Sequence, residues 1–524
     1  MAPVTASHHL LPRGNGCRPA ILDALGERGG YPCDSSRRGV ITGPRRRPPH
    51  GRRRVGRVPR SYPWLMTANP TPPPFDPSAA HQQRPRLRPV RGFGAQVGDQ
   101  MALGLADARQ ISDKAVFTSP AFQVVLPLMD GQKSIDDIVR TVGKGLTREP
   151  LEGLVAQLDD AGLLFGPRFD EMLIKMRSDF DSSPVLPPAS TAAFADALAE
   201  HTVRSKRPPE EQNQPVNLSE DEKAELGSSR LREVFDEWIA ASLKDAPNPS
   251  LDALPKAIVV PHVDYQRGWI NYSSVWGRLR VADRPDRVII LGTNHFGEAT
   301  GVCGCDKGYS SPLGTCEADS GLIAALRRRL GPEQSERLFQ NRYDHEREHS
   351  IELQIPWIQH CLGADESGKY PLVFGALVHD PSVNNGESYD GRGVAFEPFV
   401  AAMREVLAEL PGKTLIVSSA DLSHVGPQFG DQQTVAGEGG PAEEFRNKTF
   451  QHDREMIQLL AEGKADELIA SMAWQQNPTR WCSIGNMTAA FKIAQPAKVH
   501  IYNYAAAMDQ QGQSMVSSVG MAME

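Results

Sequence analysis

The chain has 524 residues, of which 40% are hydrophobic, so it is long enough to bury cores in two to four domains. Its net charge is −7, but residues 1–65 hold thirteen Arg, no Lys and three acidic residues, which leaves −17 on the rest and opposes nucleic acid or an anionic membrane as the main partner. Seven Cys are too sparse for a disulfide framework and no apolar run matches a membrane span, so we expect a cytoplasmic protein.

The first 91 residues are predicted to be a disordered arm and tether. Residues 1–65 are rich in Arg, Pro and Gly and show no hydrophobic period, so they cannot bury enough apolar surface to offset chain entropy. Composition changes abruptly at Met66, and we interpret the preceding segment as translated upstream sequence, with the native start at Met66. A basic arm for nucleic acid and an organellar transit peptide are the alternatives. Residues 67–90 are rich in Pro, which is typical of a tether.

A small winged-helix-like domain is predicted over residues 92–180. The sequence SIDD at 134–137 has the form of a capping box that opens a short helix, and Thr147 precedes a second helix. The sequence LLF at 163–165 then predicts a strand, which completes a winged-helix order. The motifs LMDGQKSIDDIV and LDDAGLLF resemble small domains of the peptide-chaperone type, which implies a peptide partner. A role in reading DNA is the alternative, but the second helix is acidic, which opposes phosphate contact.

The main domain is predicted over residues 219–524, after a linker at 181–218 that is rich in Ser, Pro and Ala. Ser219 is typical of the N-cap of a long amphipathic helix, Glu220 to Leu243. From Pro255 onward, predicted strands and helices alternate, including a helix from Cys316 to Leu330. This alternation indicates a single α/β domain.

Two buried strands of this domain each lead to a histidine. The apolar runs at 257–260 and 287–291 are rich in β-branched residues, and they are followed by His262 and His295. A third strand, at 414–419, leads to Asp421 and His424. The carboxyl ends of strands are where open α/β sheets bind ligands, so we expect these side chains to share one site.

The recurrence of imidazoles at strand ends predicts a metal site. A histidine at one strand end, or Cys482 alone, has a plain structural explanation, but two imidazoles with a thiolate or carboxylate would suit iron, copper or zinc. A carboxylate such as Asp421 could orient a ligand histidine. Cys303 and Cys305 lack a matched second pair, so we interpret them, with Cys316, as structural.

Five motifs carry a resemblance to a known family. IVVPHVDY, IILGTNHFG, REHSIELQIPW, LIVSSADLSHVG and RWCSIGNMTAAF occur in this order between residues 255 and 524. Together they resemble the Memo family, also called AmmeMemoRadiSam system protein B, which is similar in fold to the class III extradiol dioxygenases. The resemblance therefore implies an α/β fold of that type for the carboxyl-terminal domain.

The resemblance also implies roles for individual residues. It places the metal ligands at His262, His295 and Cys482, and a further histidine and aspartate of the pocket at His424 and Asp421, with His424 handling protons. The other pocket positions that it suggests are Asn294, Glu348, His349 and Glu352. Asp264 stands where small residues are common in the family, and it would add a carboxylate near the first histidine.

The function implied by the resemblance is redox or oxidative chemistry at one metal ion. A thiolate in place of the glutamate ligand of the dioxygenases softens the site, which favours Fe(II) or Cu, with Zn as an alternative. The substrate would be a small molecule or a peptide, and a radical enzyme or a peptide is the expected partner of residues 92–180. The alternatives are an extradiol-type dioxygenase and a non-catalytic adaptor that binds metal or peptide.

Overall fold

The structure, a computed structural model, describes residues 74–97 and 100–524. It contains a three-stranded antiparallel sheet near the amino terminus and an eight-stranded mixed sheet in the carboxyl-terminal part, so the predicted α/β class is confirmed. The predicted basic arm and the predicted start at Met66 lie outside the described residues. Within the described ranges, no helix is both long enough and apolar enough to cross a membrane.

The small amino-terminal sheet has its own hydrophobic core. Its strands pair in chain order, and the elements of this part are β1 (Val90–Val97), β2 (Gln100–Asp107), β3 (Ala115–Thr118), α1 (Ala80–Gln83), α2 (Ile135–Val142), α3 (Arg148–Asp160) and α4 (Pro167–Ser182). Leu105 of the sheet packs with Ile135 and Leu154 of the helices, and all three are buried. Helix α2 begins with the capping box predicted at Ser134, because the side chains of Ser134 and Asp137 each accept from the other's backbone N–H.

Two segments of this part differ from the sequence prediction. Residues from 74 onward, predicted as a tether, pack onto the small domain, where Leu87 forms an antiparallel bridge with Leu164. That bridge is all that forms of the strand predicted at 163–165, because α4 begins at Pro167 and redirects the chain. The winged-helix resemblance stays a prediction.

The region predicted as a linker contains regular structure. It includes β4 (Val185–Leu186) and α5 (Ser190–Ser205), which packs against α6 (Glu220–Leu243). Helix α6 begins at the predicted N-cap. A Cβ on Gly227 of α6 would lie 2.9 Å from the carbonyl oxygen of Ala195 of α5. The close approach of these two helices therefore requires a glycine at position 227.

The main sheet has a parallel centre with antiparallel edges. Its strands are β5 (Ala257–Val260), β6 (Arg287–Gly292), β7 (Cys303–Gly304), β10 (Leu372–Leu377), β11 (Thr414–Ser419), β12 (Asp421–Val425), β13 (Val499–Met508) and β14 (Met515–Met523), while β8 (Gly308–Ser311) and β9 (Gly314–Cys316) pair with β4 in a separate small sheet. The order is β12-β14-β5-β11-β6-β10-β7, with β13 on β14. Strands β5, β11, β6 and β10 run parallel.

Helices cover both faces of this sheet. They are α7 (Tyr265–Leu279), α8 (Ser320–Gln340), α9 (His349–Glu352), α10 (Ile355–Leu362), α11 (Phe396–Glu409), α12 (Gly440–Ala461), α13 (Ala465–Gln475) and α14 (Ile484–Ala494). Along β5, Val259 belongs to the core on one face, and Ile258 and Val260 belong to the core on the other. Burial on both faces explains why these strands are continuous apolar runs in the sequence.

The helix predicted from Cys316 begins four residues later. Cys316 instead ends β9, and the carboxylate of Asp319 accepts from the backbone N–H of Leu322 as the N-cap of α8. The predicted stop at Gly331 is a kink, because Gly331 has φ of +74° and a second helical segment continues beyond it. The glycine does break the helical conformation at 331, although the helix resumes after it. At Cys316, strand pairing overrides helix propensity.

Candidate metal centre

The residues of the site follow the carboxyl ends of neighbouring parallel strands, at one edge of the main sheet. β5 leads to His262, β6 leads to His295, and β11, which lies between them, leads to Asp421. Cys482 joins them from the loop before α14. One ligand atom each from His262, His295 and Cys482 lies within 4.8 Å of the others, so the structure brings together the three residues expected as metal ligands.

His262 is buried and held at both the backbone and the ring. Its backbone N–H donates to Oδ1 of Asp421 at 3.0 Å, and its ring Nδ1–H donates to the carbonyl oxygen of Ser419 at 2.9 Å. Because a carbonyl oxygen can only accept, the proton stays on Nδ1. The other nitrogen, Nε2, lies 3.2 Å from Sγ of Cys482. The tautomer therefore presents Nε2 to the site.

His295 is oriented by a carboxylate. Its Nδ1 lies 3.0 Å from Oε1 of Glu348, and its backbone N–H donates to Oε2 at 2.8 Å. Glu348 is buried at the N-cap of α9, where it also accepts from the backbone N–H of Ser350 at 2.9 Å. A carboxylate on the far nitrogen of a histidine is the usual support of a metal-bound imidazole.

The charged groups of the site favour a cation between the imidazole ring of His262 and Sγ of Cys482. Burial lowers the pKa of His262, but Asp421 and Cys482 outweigh it and raise that pKa to about 9. Burial raises the pKa of the Cys482 thiol, but His262, His424 and His295 hold it well below its usual range. These shifts favour the thiolate form of Cys482 and positive charge next to it.

The donor set fits a transition metal. Two imidazole nitrogens whose other nitrogens are engaged, together with a thiolate, are a set that zinc, iron and copper accept. Oδ2 of Asp421 lies 3.6 Å from Nε2 of His262, so a carboxylate oxygen stands beside the same position. The two imidazoles and the sulfur could hold one metal ion, with Asp421 beside them.

His424 lies on β12 beside this cluster. Its Nδ1–H faces the carbonyl oxygens of Leu422 and Arg480, at 2.9 and 3.1 Å, and its ring packs edge-on against Phe429. Both acceptors hold the Nδ1 proton, so Nε2 is the nitrogen that can accept a proton. The ring is half-buried, and its proton-handling role stays a prediction.

His349 and Glu348 lie against the cluster, as expected for pocket residues. The ring of His349 stacks on that of His295 with centroids 4.8 Å apart, and it meets the ring of His262 edge-on at 5.6 Å. Burial lowers the pKa of His349 to about 4, so this imidazole is neutral at pH 7. Burial favours the neutral acid of Glu348, but His295 outweighs it and holds the pKa of that carboxyl well below its usual range.

Other residues expected in the pocket are engaged elsewhere. Asn294 donates to Oδ2 of Asp344 at 2.9 Å and accepts from the N–H of Gly297, so it shapes the loop that follows β6. Asp264 is exposed and caps α7 through the N–H of Arg267. Its carboxylate is held by that cap and by Arg267. These contacts give no support to the expectation that Asp264 adds a carboxylate to the site near His262.

Glu352 points away from the histidines to another element. Its carboxylate accepts from the backbone N–H groups of Ala189, Ser190 and Thr191 and from the hydroxyl of Thr191, at distances from 2.7 to 3.2 Å. These groups lie at the start of α5. Glu352 therefore caps α5, which explains a buried acidic residue that the sequence suggests for the pocket.

Sequence reasoning missed the residues that hold the histidines from behind. Ser419 sets the tautomer of His262 through its backbone carbonyl, an interaction that leaves no trace in a sequence. Gln354, buried in the REHSIELQIPW motif, donates to the carbonyl oxygen of Pro261 at 2.7 Å and to Oγ of Ser419 at 2.8 Å. An amide within an otherwise apolar helical run was the signal available for Gln354.

Within residues 100–524, the cysteines outside the site are buried thiols. Cys303, Cys305 and Cys316 are unpaired, and burial raises the pKa of each. Among the described residues, none of the three belongs to a group that could hold a metal ion. Their surroundings agree with the structural interpretation.

Comparison with known proteins finds one family. A family model described as Memo-like protein matches residues 227–523. The chain is similar to MEMO1 family proteins of Methanopyrus kandleri (31% identity, covering 32% of this chain and 53% of the relative), Thermus thermophilus (27%, covering 43% and 58%) and Aquifex aeolicus (24%, covering 75% and 86%). The chain thus spans between half and three-fifths of the length of the first two. The matched segment contains all three expected metal ligands.

Proposed function

The chain belongs to the Memo-like protein family, and from that premise we propose that it holds one transition-metal ion and uses it for redox or oxidative chemistry on a small molecule or peptide. The ligands are His262, His295 and Cys482. The proposal is carried by one observation: each imidazole has its Nδ1 fixed, at 2.9 Å from Ser419 and 3.0 Å from Glu348, so that each presents Nε2. Ligand atoms arranged in this way are held ready for a metal.

The thiolate decides which metals we favour. A soft sulfur beside two imidazoles suits copper or redox-active iron, and zinc is the alternative. When bound, such an ion supplies electron transfer and open coordination positions for a substrate. Around it, His424 takes or gives the proton at Nε2, because its Nδ1 is held by two carbonyl oxygens. Asp421 holds the backbone of His262 in place.

A partner is proposed to bind the small amino-terminal domain. This domain has its own core, and Val97 and Met101 at the end of the β1–β2 hairpin are 54% and 67% exposed. Exposed apolar side chains at such a tip suit contact with a peptide or a radical enzyme. This role for residues 92–180 would make the domain a recruiting module for the metal centre.

Metal analysis tests the proposal. Protein purified without chelators is expected to contain iron, copper or zinc near one equivalent, and H262A, H295A and C482S are expected to lose it. H500A is the control. His500 contacts Glu524 at the edge of the main sheet opposite to the site, so this variant should keep the metal. If the protein contains none of these metals and binds none on reconstitution, the proposal fails.

Two alternatives give different results in solution. An extradiol-type dioxygenase would require Fe(II) and would take up oxygen when a catechol is added. A non-catalytic adaptor would keep its partner when H262A, H295A or C482S removes the metal. An oxidative enzyme that recruits its partner through residues 92–180 would also keep that partner, so partner capture does not separate it from an adaptor. Oxygen uptake with a catechol identifies the dioxygenase, and metal-dependent oxidation of another substrate, which an adaptor lacks, identifies the oxidative enzyme.

A further inference from the structure

The segment 348–354 contacts both metal-binding histidines and the linker helix α5. We infer that α5 positions the metal ligands through Glu352, so that the first turn of this helix and metal retention are coupled. The inference rests on the proposed function, because it concerns the same site. Three sets of contacts on the segment carry it.

The first set supports His295. Glu348 accepts from both the backbone N–H and the ring Nδ1–H of His295. Two residues further on, Oγ of Ser350 accepts from the backbone N–H of Thr293 at 3.0 Å and donates to the Thr293 carbonyl oxygen at 3.1 Å. The loop that carries His295 is thus fastened to the start of the segment at two places.

The second set supports His262. The side-chain amide of Gln354 donates to the carbonyl oxygen of Pro261, the residue before His262, and to the hydroxyl of Ser419. The carbonyl oxygen of Ser419 in turn accepts the Nδ1 proton of His262. Gln354 is fully buried, so this amide has no water to replace either acceptor. The end of the segment therefore fixes the second ligand.

The third set lies between the other two. Glu352 is two residues from both Ser350 and Gln354, and its carboxylate accepts the first backbone N–H groups of α5 together with the hydroxyl of Thr191. The N–H groups of a first helical turn have no partner within the helix, and a carboxylate there is held by several bonds and by the helix dipole. Glu352 is 8% exposed, so its bonds to α5 are not exchanged for water without cost.

Glu352 is a positioning residue in this arrangement. The hydrogen bonds of its carboxylate lie with residues 189–191, and it acts on the ligands through Glu348 and Gln354 on the same short stretch of chain. A shift of α5 moves Glu352, and a shift of Glu352 moves the supports of both imidazoles. Helix α5 follows the small domain and precedes the main domain in the chain.

A pair of matched threonine variants tests the coupling. T191V removes the hydroxyl that donates to Glu352, whereas T202V removes a hydroxyl of the same helix that donates to the Leu198 carbonyl oxygen at 2.7 Å. Loaded with Co²⁺, the full chain with T191V is expected to release the metal to a chelator about two- to thirtyfold faster, the range expected of residues along a coupled path. The thiolate-to-cobalt absorption band should shift with it. T202V should match the unaltered chain in both.

Reciprocity gives a second measurement that does not depend on a variant folding. If α5 stabilises the loaded site, loading must stabilise the start of α5 by the same free energy. Amide hydrogen exchange at residues 189–191 should slow when Co²⁺ is bound, while exchange at 202–205 stays the same. Unchanged exchange at 189–191, or equal release rates for T191V, T202V and the unaltered chain, overturns the inference. Failure of the unaltered chain to bind any metal overturns the proposed function instead.

Discussion

At the scale of single residues, the two histidines of the site are supported by unequal acceptors. Nδ1 of His262 faces a neutral backbone carbonyl, and Nδ1 of His295 faces the carboxylate of Glu348. A carboxylate makes the imidazole a stronger donor to a metal than a carbonyl does. As proposed ligands, His295 would depend for its donor strength on a replaceable side chain, and His262 would depend on the backbone.

Replacement of Glu348 by Gln should weaken metal binding without removing a ligand. The amide keeps the size of the side chain but loses the charge that two N–H groups of His295 require. We expect E348Q to lower metal affinity about 10- to 100-fold, measured by competition with a chelator. The control is E346Q, because Glu346 lies two residues away with an oxygen that has no hydrogen-bond partner. Equal affinities for the two variants would contradict this account of His295.

A second residue-scale prediction concerns pH and a histidine outside the site. His345 is buried, where its Nδ1 accepts from the hydroxyl of Tyr309 at 2.9 Å and its Nε2–H donates to the carbonyl oxygen of Cys303 at 3.1 Å. Burial lowers its pKa to about 4. The unfolded chain takes up this proton near pH 6.5 and the folded chain only near pH 4, so its contribution is complete above pH 6.5 and is lost as the pH falls to 4.

Acid unfolding of H345Q should show this loss directly. Glutamine can accept from Tyr309 and donate to Cys303 without titrating. Between pH 7 and pH 4, the free energy of unfolding of the native chain should fall by about 3 kcal/mol more than that of H345Q, measured by denaturant titration at each pH. If the two proteins lose stability in parallel over this range, His345 is not the group responsible.

The sequence predicted which three residues come together better than it predicted the groups that support them. His262, His295 and Cys482 stand in motifs that name them, and strand ends gave the reason for two of them. The acceptor for His262 is a backbone carbonyl, and any residue type provides one. Glu352 was expected in the pocket because it stands in a motif of the family resemblance, but its carboxylate instead binds the first residues of α5.

At the scale of elements, a charged side chain close in sequence to a site residue can serve as a helix cap and not as part of the site. Asp264 follows His262 by two residues, yet it caps α7 and is exposed. Replacement by Ala removes an N-cap, which costs about 0.5–2 kcal/mol. We expect D264A to lower the free energy of unfolding by that amount, measured by denaturant titration, and to leave metal content unchanged.

The matching control for D264A is D252A, which changes an exposed Asp close by in sequence that caps no helix. It should alter neither stability nor metal content. Loss of metal in D264A with D252A unaffected would show instead that Asp264 shapes the charge of the site, as its place in the sequence first suggested.

The boundaries of helices and strands were predicted correctly where the residues that form them are close in sequence. Ser134 was predicted from the form of a capping box and Ser219 from the amphipathic helix that follows it, and both begin their helices with capping boxes that lie within four residues. Cys316 was assigned to a helix because its strand partner, Tyr309, lies across a turn and pairs in a small sheet that no local pattern indicates. The strand order of the main sheet could not be predicted for the same reason, since it depends on contacts between distant segments.

At the scale of the whole molecule, the described chain has separate hydrophobic cores in its two parts. The core of the small domain is centred on residues such as Ile135 and Leu158, and the cores on both faces of the main sheet contain neither. Each part therefore buries apolar surface of its own, which is the basis for independent unfolding. Damage to one core should leave the other in place.

Arg88 offers a way to unfold the small domain alone. Its buried guanidinium bonds the Asp107 carboxylate at 3.0 Å and the Gly162 carbonyl oxygen at 2.7 Å, and it lies over the ring of Phe169. R88A leaves the carboxylate buried without its partner, which costs about 3–5 kcal/mol. We expect faster amide exchange throughout residues 100–164 and unchanged metal content. R91A, at an exposed position, should change neither; loss of metal in R88A would show that the cores are not independent.

The distance along the chain between the proposed ligands determines when, during synthesis, all of them are present. His262 and Cys482 are 220 residues apart, and ribosomes add about 5–20 residues per second, so about 10–45 s separate their emergence. During that interval the nascent chain offers two imidazoles and no thiolate. The complete donor set exists only after the last third of the main domain has been synthesised and its antiparallel edge has closed. If these three residues hold a metal ion, the complete ligand set can therefore bind it only after Cys482 has been synthesised.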